Sequence, residues 1–306
     1  MDKRTMGVRA AIASAIFLGL APVFGKQAIN LGFDPLVVVG LRTLLAALLL
    51  LSLTALFGRK YFYIYPAGLL GCGLAGLFNG IGSILYYSAL GRINASLGQL
   101  LYSLYPLFVA IWMILDSQPP SRLTLMRILL AILSIVLLTN SSGAPIDMIG
   151  VAQMLLAAIL YALHLPINQR VLYDIPAPTV TLYTLIAMSI VVSPVFFFTG
   201  LTLPMQAPIW PILGLTLVTF LSRLSLFLGV KHLGGMQTAI LGLLELLVTI
   251  VLSIVWLRES FSFSQWLGGL LLGISILLVY FESPSMHAPG KGGWFSWLRP
   301  PGSFSD

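Results

Sequence analysis

Long apolar stretches, separated by short polar breaks, run along almost the whole chain. A helix needs about 20 apolar residues to cross the hydrocarbon core of a bilayer, and ten stretches approach or exceed that length. The predicted spans cover residues 8–29, 35–57, 63–90, 95–115, 123–139, 149–168, 178–199, 209–230, 235–257 and 263–281. The breaks carry turn residues such as Gly32, Gly58 and Pro120. The pattern therefore predicts an all-α integral membrane fold with ten transmembrane helices.

The composition is typical of a chain whose solvent is lipid. Of its 306 residues, 58% are hydrophobic and only 8% are charged, whereas a soluble domain carries about 25% charged residues. So few charges would not cover the surface of a water-soluble fold of this length. The single cysteine, Cys72, excludes an internal disulfide, and the three histidines show no ligand spacing. We therefore expect neither a metal site nor another cofactor.

The sixteen lysines and arginines are divided unevenly between two sides. If the N-terminus is cytoplasmic and the spans alternate in direction, eleven lie on the cytoplasmic side, two outside and three within spans. The eleven are Lys3, Arg4, Arg9, Arg59, Lys60, Arg122, Arg127, Arg170, Lys231, Lys291 and Arg299. Short cytoplasmic loops are enriched in such residues. The distribution predicts that both chain ends are cytoplasmic, and that the net charge of +7 sets topology rather than binding nucleic acid.

The two halves of the chain match each other at an offset of about 140 residues. The matched positions are Gly7 with Gly150, Pro22 with Pro166, Lys26 with Arg170, and 92–96 with 232–236. Because each half has five spans, the second half enters the membrane from the opposite side. This predicts two inverted repeats, 7–140 and 149–281, followed by a polar cytoplasmic tail, 282–306. Transporters built from inverted repeats bind their substrates between the repeats, near the membrane midplane.

Two ionisable residues, Glu245 and Arg223, lie in the middle of predicted spans. A charge at that depth is unfavourable by about 2.5 to 3.5 kcal/mol, so each must face protein or water. The functional interpretation makes Arg223 an anchor for a substrate carboxylate, and Glu245 a contact for a substrate amine or a protonatable coupling group. The structural alternative is an Arg223–Glu245 ion pair that only packs two helices, or a protonated Glu245 bonded to a neighbouring helix.

Other polar and aromatic residues recur at helical spacing along three more spans. They are Asn79, Ser83 and Tyr86 in the third span, Gln99 and Tyr102 in the fourth, and Tyr161, His164 and Asn168 in the sixth. Rings with a polar tip suit a ligand that has an apolar body and a polar head. We predict that these residues line a substrate cavity. The alternatives are a packed structural His164 and an interfacial belt formed by the tyrosines.

Lys26 and Arg42 lie near the outer ends of the first two spans. Long cationic side chains close to helix ends usually extend to the membrane interface. We expect this of both residues, and a role in a gate or in substrate entry is the alternative.

The second half carries a recognisable succession of features. Residues 233–245 combine a small-residue turn, an apolar helix and the glutamate; 256–261 hold Arg258 and Glu259; and 266–273 form a glycine-bearing last helix. This order resembles the drug/metabolite transporter superfamily, in particular its ten-helix EamA-type members, over about residues 7–281. The resemblance implies that helices one, three, four, six, eight and nine line a central cavity, and that transport proceeds by alternating access.

These features predict a secondary transporter rather than an enzyme. It would move a small metabolite, with an amino acid or related amphiphilic solute favoured and export as the favoured direction, across the cytoplasmic membrane. An organic cation or drug, or a sugar-linked anion, fits the cavity residues as well, and proton coupling stays open. The other functional classes are a membrane-embedded enzyme and a membrane scaffold. We expect no partner beyond the solute and lipid, and either a monomer or a homodimer.

Overall fold

The computed structural model describes residues 3–93, 95–115, 121–139, 147–198, 207–257 and 263–278. Within these ranges the chain is helical, with a single 3₁₀ turn at Arg59–Phe62 and no strand. The α-helices are α1 (Lys3–Asn30), α2 (Pro35–Phe57), α3 (Pro66–Arg92), α4 (Ala95–Tyr102), α5 (Tyr105–Leu115), α6 (Arg122–Thr139), α7 (Met148–Leu172), α8 (Ala177–Phe198), α9 (Trp210–Leu233), α10 (Gly235–Gly242), α11 (Leu244–Leu257) and α12 (Phe263–Leu277). The predicted tail, 282–306, lies outside the described residues.

Helix starts follow local chemistry. The Asp34 carboxylate accepts a hydrogen bond from the Leu36 backbone N–H, and Pro35 opens α2 because proline has no N–H to leave unpaired at that position. At the start of α7, the Gly150 and Ile149 N–H groups bind the Asp147 carboxylate. These backbone hydrogen bonds, led by that of Gly150, hold the pKa of Asp147 below its ordinary value, and nearby Arg92 adds to the effect.

Spans four and nine were each expected to be one continuous helix, but both are broken. The fourth span divides into α4 and α5 at Ser103 and Leu104. Pro106 follows two residues later. In a continuous helix its ring would clash with the Tyr102 carbonyl, and proline has no N–H to donate to that carbonyl. The ninth span divides into α10 and α11 at Leu243, where the Leu243 N–H bonds to the Ile240 carbonyl in a tighter turn.

Helix packing follows the predicted inverted repeat. Each repeat contributes five spans, so α1 corresponds to α7 and α3 corresponds to α9. The most extensive contacts of α1 are with α9, and those of α3 are with α7; exchanging the repeats converts one pair into the other. Helices α2 and α8 pair with each other, as do α6 and α12. The fold is therefore an all-α bundle of ten spans in two inverted five-helix repeats.

Close contacts repeat the same symmetry. A Cβ atom placed on Gly7 would lie 2.8 Å from the His232 Cβ, and one placed on Gly150 would lie 2.8 Å from Ile93 Cγ2. The sequence alignment of 92–96 with 232–236 pairs these two contact sites.

We call the side of the bundle where α1 begins the near face, and the side where α1 ends the far face.

A polar contact holds each face together at an equivalent place. On the far face, the Lys26 ammonium donates to the Leu90 carbonyl at 2.7 Å and to the Ile93 carbonyl at 3.3 Å, where α3 ends. On the near face, the Gly235 N–H donates to Gln169 Oε1 at 2.7 Å, where α10 begins. Lys26 is therefore half-buried and caps the end of α3 at the far face, and its extension to the membrane interface stays a prediction.

Among the described residues, two cations assigned to cytoplasmic segments are buried within the bundle. Arg127 is fully buried in α6, where its Nε donates to the Ser275 carbonyl of α12 at 3.3 Å. Arg170 is buried in α7. Both were counted as loop residues because they sit within a turn or two of a span end. Even when these two residues are removed from the positive-inside count, the remaining lysines and arginines still favour a cytoplasmic position for both chain ends.

The outer surface of the bundle is apolar. Seven helices of the described residues are long and apolar enough to cross a membrane. Large exposed side chains such as Leu129, Ile190, Phe198 and Val255 point outward. A surface of this kind is stable in lipid rather than in water.

Two glycines of α3 provide a matched test of helix packing. A Cβ on Gly76 would lie 2.7 Å from the Thr184 carbonyl oxygen of α8, whereas a Cβ on Gly73 would meet nothing within 4 Å. We expect Gly76→Ala to lower the thermal unfolding midpoint in detergent, because overpacking costs about 1–3 kcal/mol. Gly73→Ala should leave the midpoint unchanged or raise it, since alanine favours a helix by up to about 1 kcal/mol. Equal midpoints for the two variants would contradict the α3–α8 contact.

Candidate functional site

One face of α3 carries the polar residues around which the centre of the bundle is organised. Asn79, Ser83 and Tyr87 are spaced by four residues, and Tyr86 lies beside them on the same face. All four are buried, with Asn79 only 2% exposed. The sequence predicted Asn79, Ser83 and Tyr86 for this face but missed Tyr87, although its spacing of four from Ser83 was a usable signal.

Two arginines from other helices bind this α3 face. Arg42 of α2 donates from Nη2 to Ser83 Oγ at 3.0 Å and from Nη1 to Thr219 Oγ1 at 3.4 Å. Arg223 of α9 donates from Nη2 to Asn79 Oδ1 at 3.2 Å. Both side chains are buried, with exposures of 6% and 4%. Arg42 therefore does not extend to the interface as expected, because the first turns of α2 lie against α3 and α9 rather than lipid.

Each guanidinium also faces a tyrosine ring. The Arg42 Cζ lies 4.6 Å from the centroid of the Tyr87 ring, and the Arg223 Cζ lies 5.6 Å from that of Tyr161. Cation–π contacts of this kind stabilise a desolvated cation by about 2 kcal/mol. They hold the two side chains in place without neutralising their charge.

Glu245 lies beside the same centre but is held by a different contact. Its Oε1 accepts a short hydrogen bond from Gln99 Nε2, and Gln99 Oε1 accepts from the Tyr86 hydroxyl at 2.9 Å. Thus a chain of hydrogen bonds runs from α3 through α4 to α11. Within the described residues no ion pair joins Glu245 to Arg223, so the structural alternative of a direct Arg223–Glu245 pair is wrong.

A cluster of tyrosines forms an aromatic wall at the centre. Tyr102 lies 4.9 Å from Tyr86 and 5.2 Å from Tyr161, measured between ring centroids. Tyr105 lies 4.9 Å from Tyr161, and its hydroxyl donates to the Ala239 carbonyl at 2.9 Å. The sequence analysis did not identify Tyr105, although its spacing of three from Tyr102 in the predicted fourth span was a usable signal.

The two broken spans meet at this wall. Gly242, the last residue of α10, lies against the Tyr105 hydroxyl so closely that a Cβ there would overlap it. Transporters with inverted repeats commonly place substrate sites at broken helices in corresponding positions of the two halves. The breaks thus lie at the place where the repeat pattern predicts a site.

His164 and Asn168 extend the site along α7. His164 is fully buried, its Nδ1 forms a short contact with the Tyr161 carbonyl, and its ring packs against Tyr161 at 4.6 Å between centroids. The Thr184 hydroxyl donates to Asn168 Oδ1 at 3.3 Å. His164 thus contacts the predicted cavity residue Tyr161, whereas Asn168 lies about two turns further along α7 and is bonded to α8.

Several buried polar atoms of this centre have no hydrogen-bond partner within the protein. They are Arg42 Nε, Arg223 Nη1, Asn79 Nδ2, Tyr87 OH, His164 Nε2 and Glu245 Oε2. Leaving a buried polar group unpaired costs about 1–3 kcal/mol, and such groups in a native protein mark a functional site or a bound water. Other buried atoms without a partner, such as those of Trp112 and Gln153, lie elsewhere in the described residues, so it is the coincidence of these six with the two arginines and the tyrosine wall that defines the candidate site.

Comparison with known proteins agrees with this architecture. The EamA-like transporter family matches residues 5–140 and 148–281. A solved structure, described only as "Crystal structure of protein", has a TM-score of 0.71 and 14% sequence identity, and the match covers 91% of this chain and 98% of that chain. At that identity the likeness concerns the fold alone. No curated protein sequence matches this chain.

The family match spans nearly all of the helices described above, once in each half of the chain. The resemblance to the drug/metabolite transporter superfamily noted in the sequence is therefore confirmed. The chain belongs to the EamA-like transporter family and is a multi-pass membrane transporter.

Proposed function

We propose that the chain is a secondary transporter that exports a small amphiphilic metabolite of the amino-acid class across the cytoplasmic membrane by alternating access. The observation that supports this most directly is the pair of unpartnered atoms at mid-depth, Arg223 Nη1 and Glu245 Oε2. One is a donor on a cation and the other is an acceptor on a carboxyl group. An amino acid supplies the complement of each.

The tyrosine wall fits the remaining part of such a solute. The Tyr161 ring lies against Arg223, Tyr86 is connected to Glu245 through Gln99, and Tyr102 contacts both rings. Binding sites for small molecules combine a mostly apolar lining with a few placed polar groups. An organic cation and a sugar-linked anion are the competing solutes. The first would use Glu245 without Arg223, and the second would use Arg223 without Glu245.

The symmetry of the fold supports alternating access. The Lys26 contact lies on the far face and the Gln169–Gly235 contact on the near face, at equivalent places in the two repeats. Movement of one repeat against the other exchanges which face is held closed. Because both repeats belong to one chain, a monomer contains the whole site, and a carrier needs no partner beyond solute and lipid.

Efflux from proteoliposomes tests the proposal. Vesicles loaded with radiolabelled L-amino acids should release at least one of them in a protein-dependent way. We expect Glu245→Gln and Arg223→Gln each to lower that rate about tenfold or more, because a hydrogen bond to a charged group contributes about 1.5–3 kcal/mol. Counterflow with the same solute measures exchange in the opposite direction.

Arg92→Gln is the matched control for charge removal. Arg92 forms an exposed ion pair with Asp147 at 3.3 Å at the far-face end of α3, more than one turn beyond Tyr87, and exposed pairs contribute about 1 kcal/mol or less. This variant should transport at the wild-type rate. Normal efflux by the Glu245 and Arg223 variants, with unchanged thermal midpoints, would contradict the proposal.

Cysteine labelling in intact cells tests the proposed orientation. In a Cys72→Ala background, Arg92→Cys on the far face should react with a membrane-impermeant maleimide added outside. Lys60→Cys, which is exposed on the near face, should react only after the cells are permeabilised. The reverse pattern would place both chain ends outside and contradict the cytoplasmic assignment.

A further inference from the structure

The unpartnered atoms next to α3 share one chemical property. Arg42 Nε, Arg223 Nη1 and Asn79 Nδ2 are all hydrogen-bond donors, and the Tyr87 hydroxyl has a donor as well. Their side chains are all less than a tenth exposed. A group of buried donors without acceptors is complementary to a ligand that brings several acceptor oxygens.

The donors are held close together by the geometry of α3. Arg223 is bound at Asn79, and Arg42 is bound at Ser83 and stacked on Tyr87. Residues four apart on a helix have their Cβ atoms about 5–6 Å apart. The two guanidinium groups therefore attach to successive turns of one helix face, within reach of a single small group.

The charge of this cluster is only partly balanced by the described residues around it: Glu245 lies close enough to attract Arg223, but it pairs with neither arginine. Arginine stays protonated in proteins, and both arginines here are bonded to neutral oxygens of Ser83, Thr219 and Asn79. In the described part of the chain, neither arginine lies in an ion pair. A buried charge is stable only when it is paired, so the cluster favours an anion.

We propose that Arg42, Arg223, Asn79 and Tyr87 form a cradle for an oxyanion group of the transported solute, a carboxylate or a phosphate. This inference rests on the proposed transport function and assigns Arg42, Asn79 and Tyr87 to solute recognition alongside Arg223. Guanidinium groups bind such oxyanions through paired N–H···O bonds. Glu245, which is connected to the cradle through Gln99 and Tyr86, faces the other end of the solute.

Gly25 of α1 supports the position of the cradle. A Cβ on Gly25 would lie 2.7 Å from Tyr87 Cε1. The absence of a side chain there leaves room for the Tyr87 ring beneath Arg42. The helix that carries Lys26 thus also shapes the cradle.

Ligand-dependent thermal shifts of the purified protein test the cradle with matched probes. The oxyanion probes are L-phenylalanine, L-leucine and phenyl phosphate. Their counterparts are L-phenylalaninamide, L-leucinamide and phenol, which keep the apolar body but lack the oxyanion. A ligand that binds only the folded protein raises its unfolding midpoint. We expect at least one oxyanion probe to raise the midpoint and its counterpart to leave it unchanged.

The probe that binds distinguishes the two oxyanions. A shift with the amino acids identifies a carboxylate, and a shift with phenyl phosphate identifies a phosphate. Shifts of equal size with an acid and its counterpart, or no shift with any oxyanion probe, would overturn the cradle.

Asn79→Asp provides the sharpest variant, because it keeps the shape of the side chain and adds an internal counter-charge for Arg223. We expect this protein to remain folded, with an unfolding midpoint at or above that of the wild type, and to need at least ten times more of the oxyanion probe for the same shift. An unchanged concentration dependence in Asn79→Asp would contradict the cradle.

Tyr87→Phe, within α3, and Tyr65→Phe, at the residue just before α3, form a matched pair. Both remove a buried hydroxyl that has no partner, but Tyr65 lies at the near end of α3, away from the arginines. Only Tyr87→Phe should weaken binding of the oxyanion probe. Equal effects of the two substitutions on that binding would overturn the assignment of Tyr87 to the cradle. If the protein transports amides or amines with no preference for acids, the carrier function is supported and the cradle is contradicted. The two proposals can therefore fail separately.

Discussion

The fold is organised by the need to satisfy charged groups inside hydrocarbon. Arg42 and Arg223 enter the centre from two helices, and both are held by the Asn79–Ser83–Tyr87 face of α3. Because a charge facing lipid at this depth is strongly unfavourable, these contacts fix the relative positions of α2, α3 and α9. The partners are neutral oxygens, so the side chains are anchored while their charges are kept.

Repeat symmetry gives this centre its surroundings. Each repeat supplies one broken span, and the two breaks meet where the Tyr105 side chain lies against Gly242. Each repeat also supplies one polar contact, that of Lys26 on one face and that of Gln169 on the other. This symmetry is what the proposed alternating access requires, because the same type of movement would expose the centre to either face.

Much of this arrangement could be predicted from sequence because lipid imposes simple rules. Span length identified most helices to within a few residues, and a spacing of three or four placed Asn79, Ser83 and Tyr86 on one face. The depth of Arg42 could not be predicted, since its position near a helix end says nothing about which helices surround it. The absence of a direct Arg223–Glu245 pair depends on the partners Asn79 and Gln99, which only the tertiary structure brings together.

Access to the centre from water is the most direct test of the carrier interpretation. Ser83→Cys in a Cys72→Ala chain, reconstituted into vesicles, can be exposed to an impermeant thiol reagent from each side in turn. We expect reaction from both sides, slowed by saturating transported solute. If the cysteine at position 83 reacts from neither side, while Arg92→Cys reacts readily in the same vesicles, a solute pathway through this centre is contradicted.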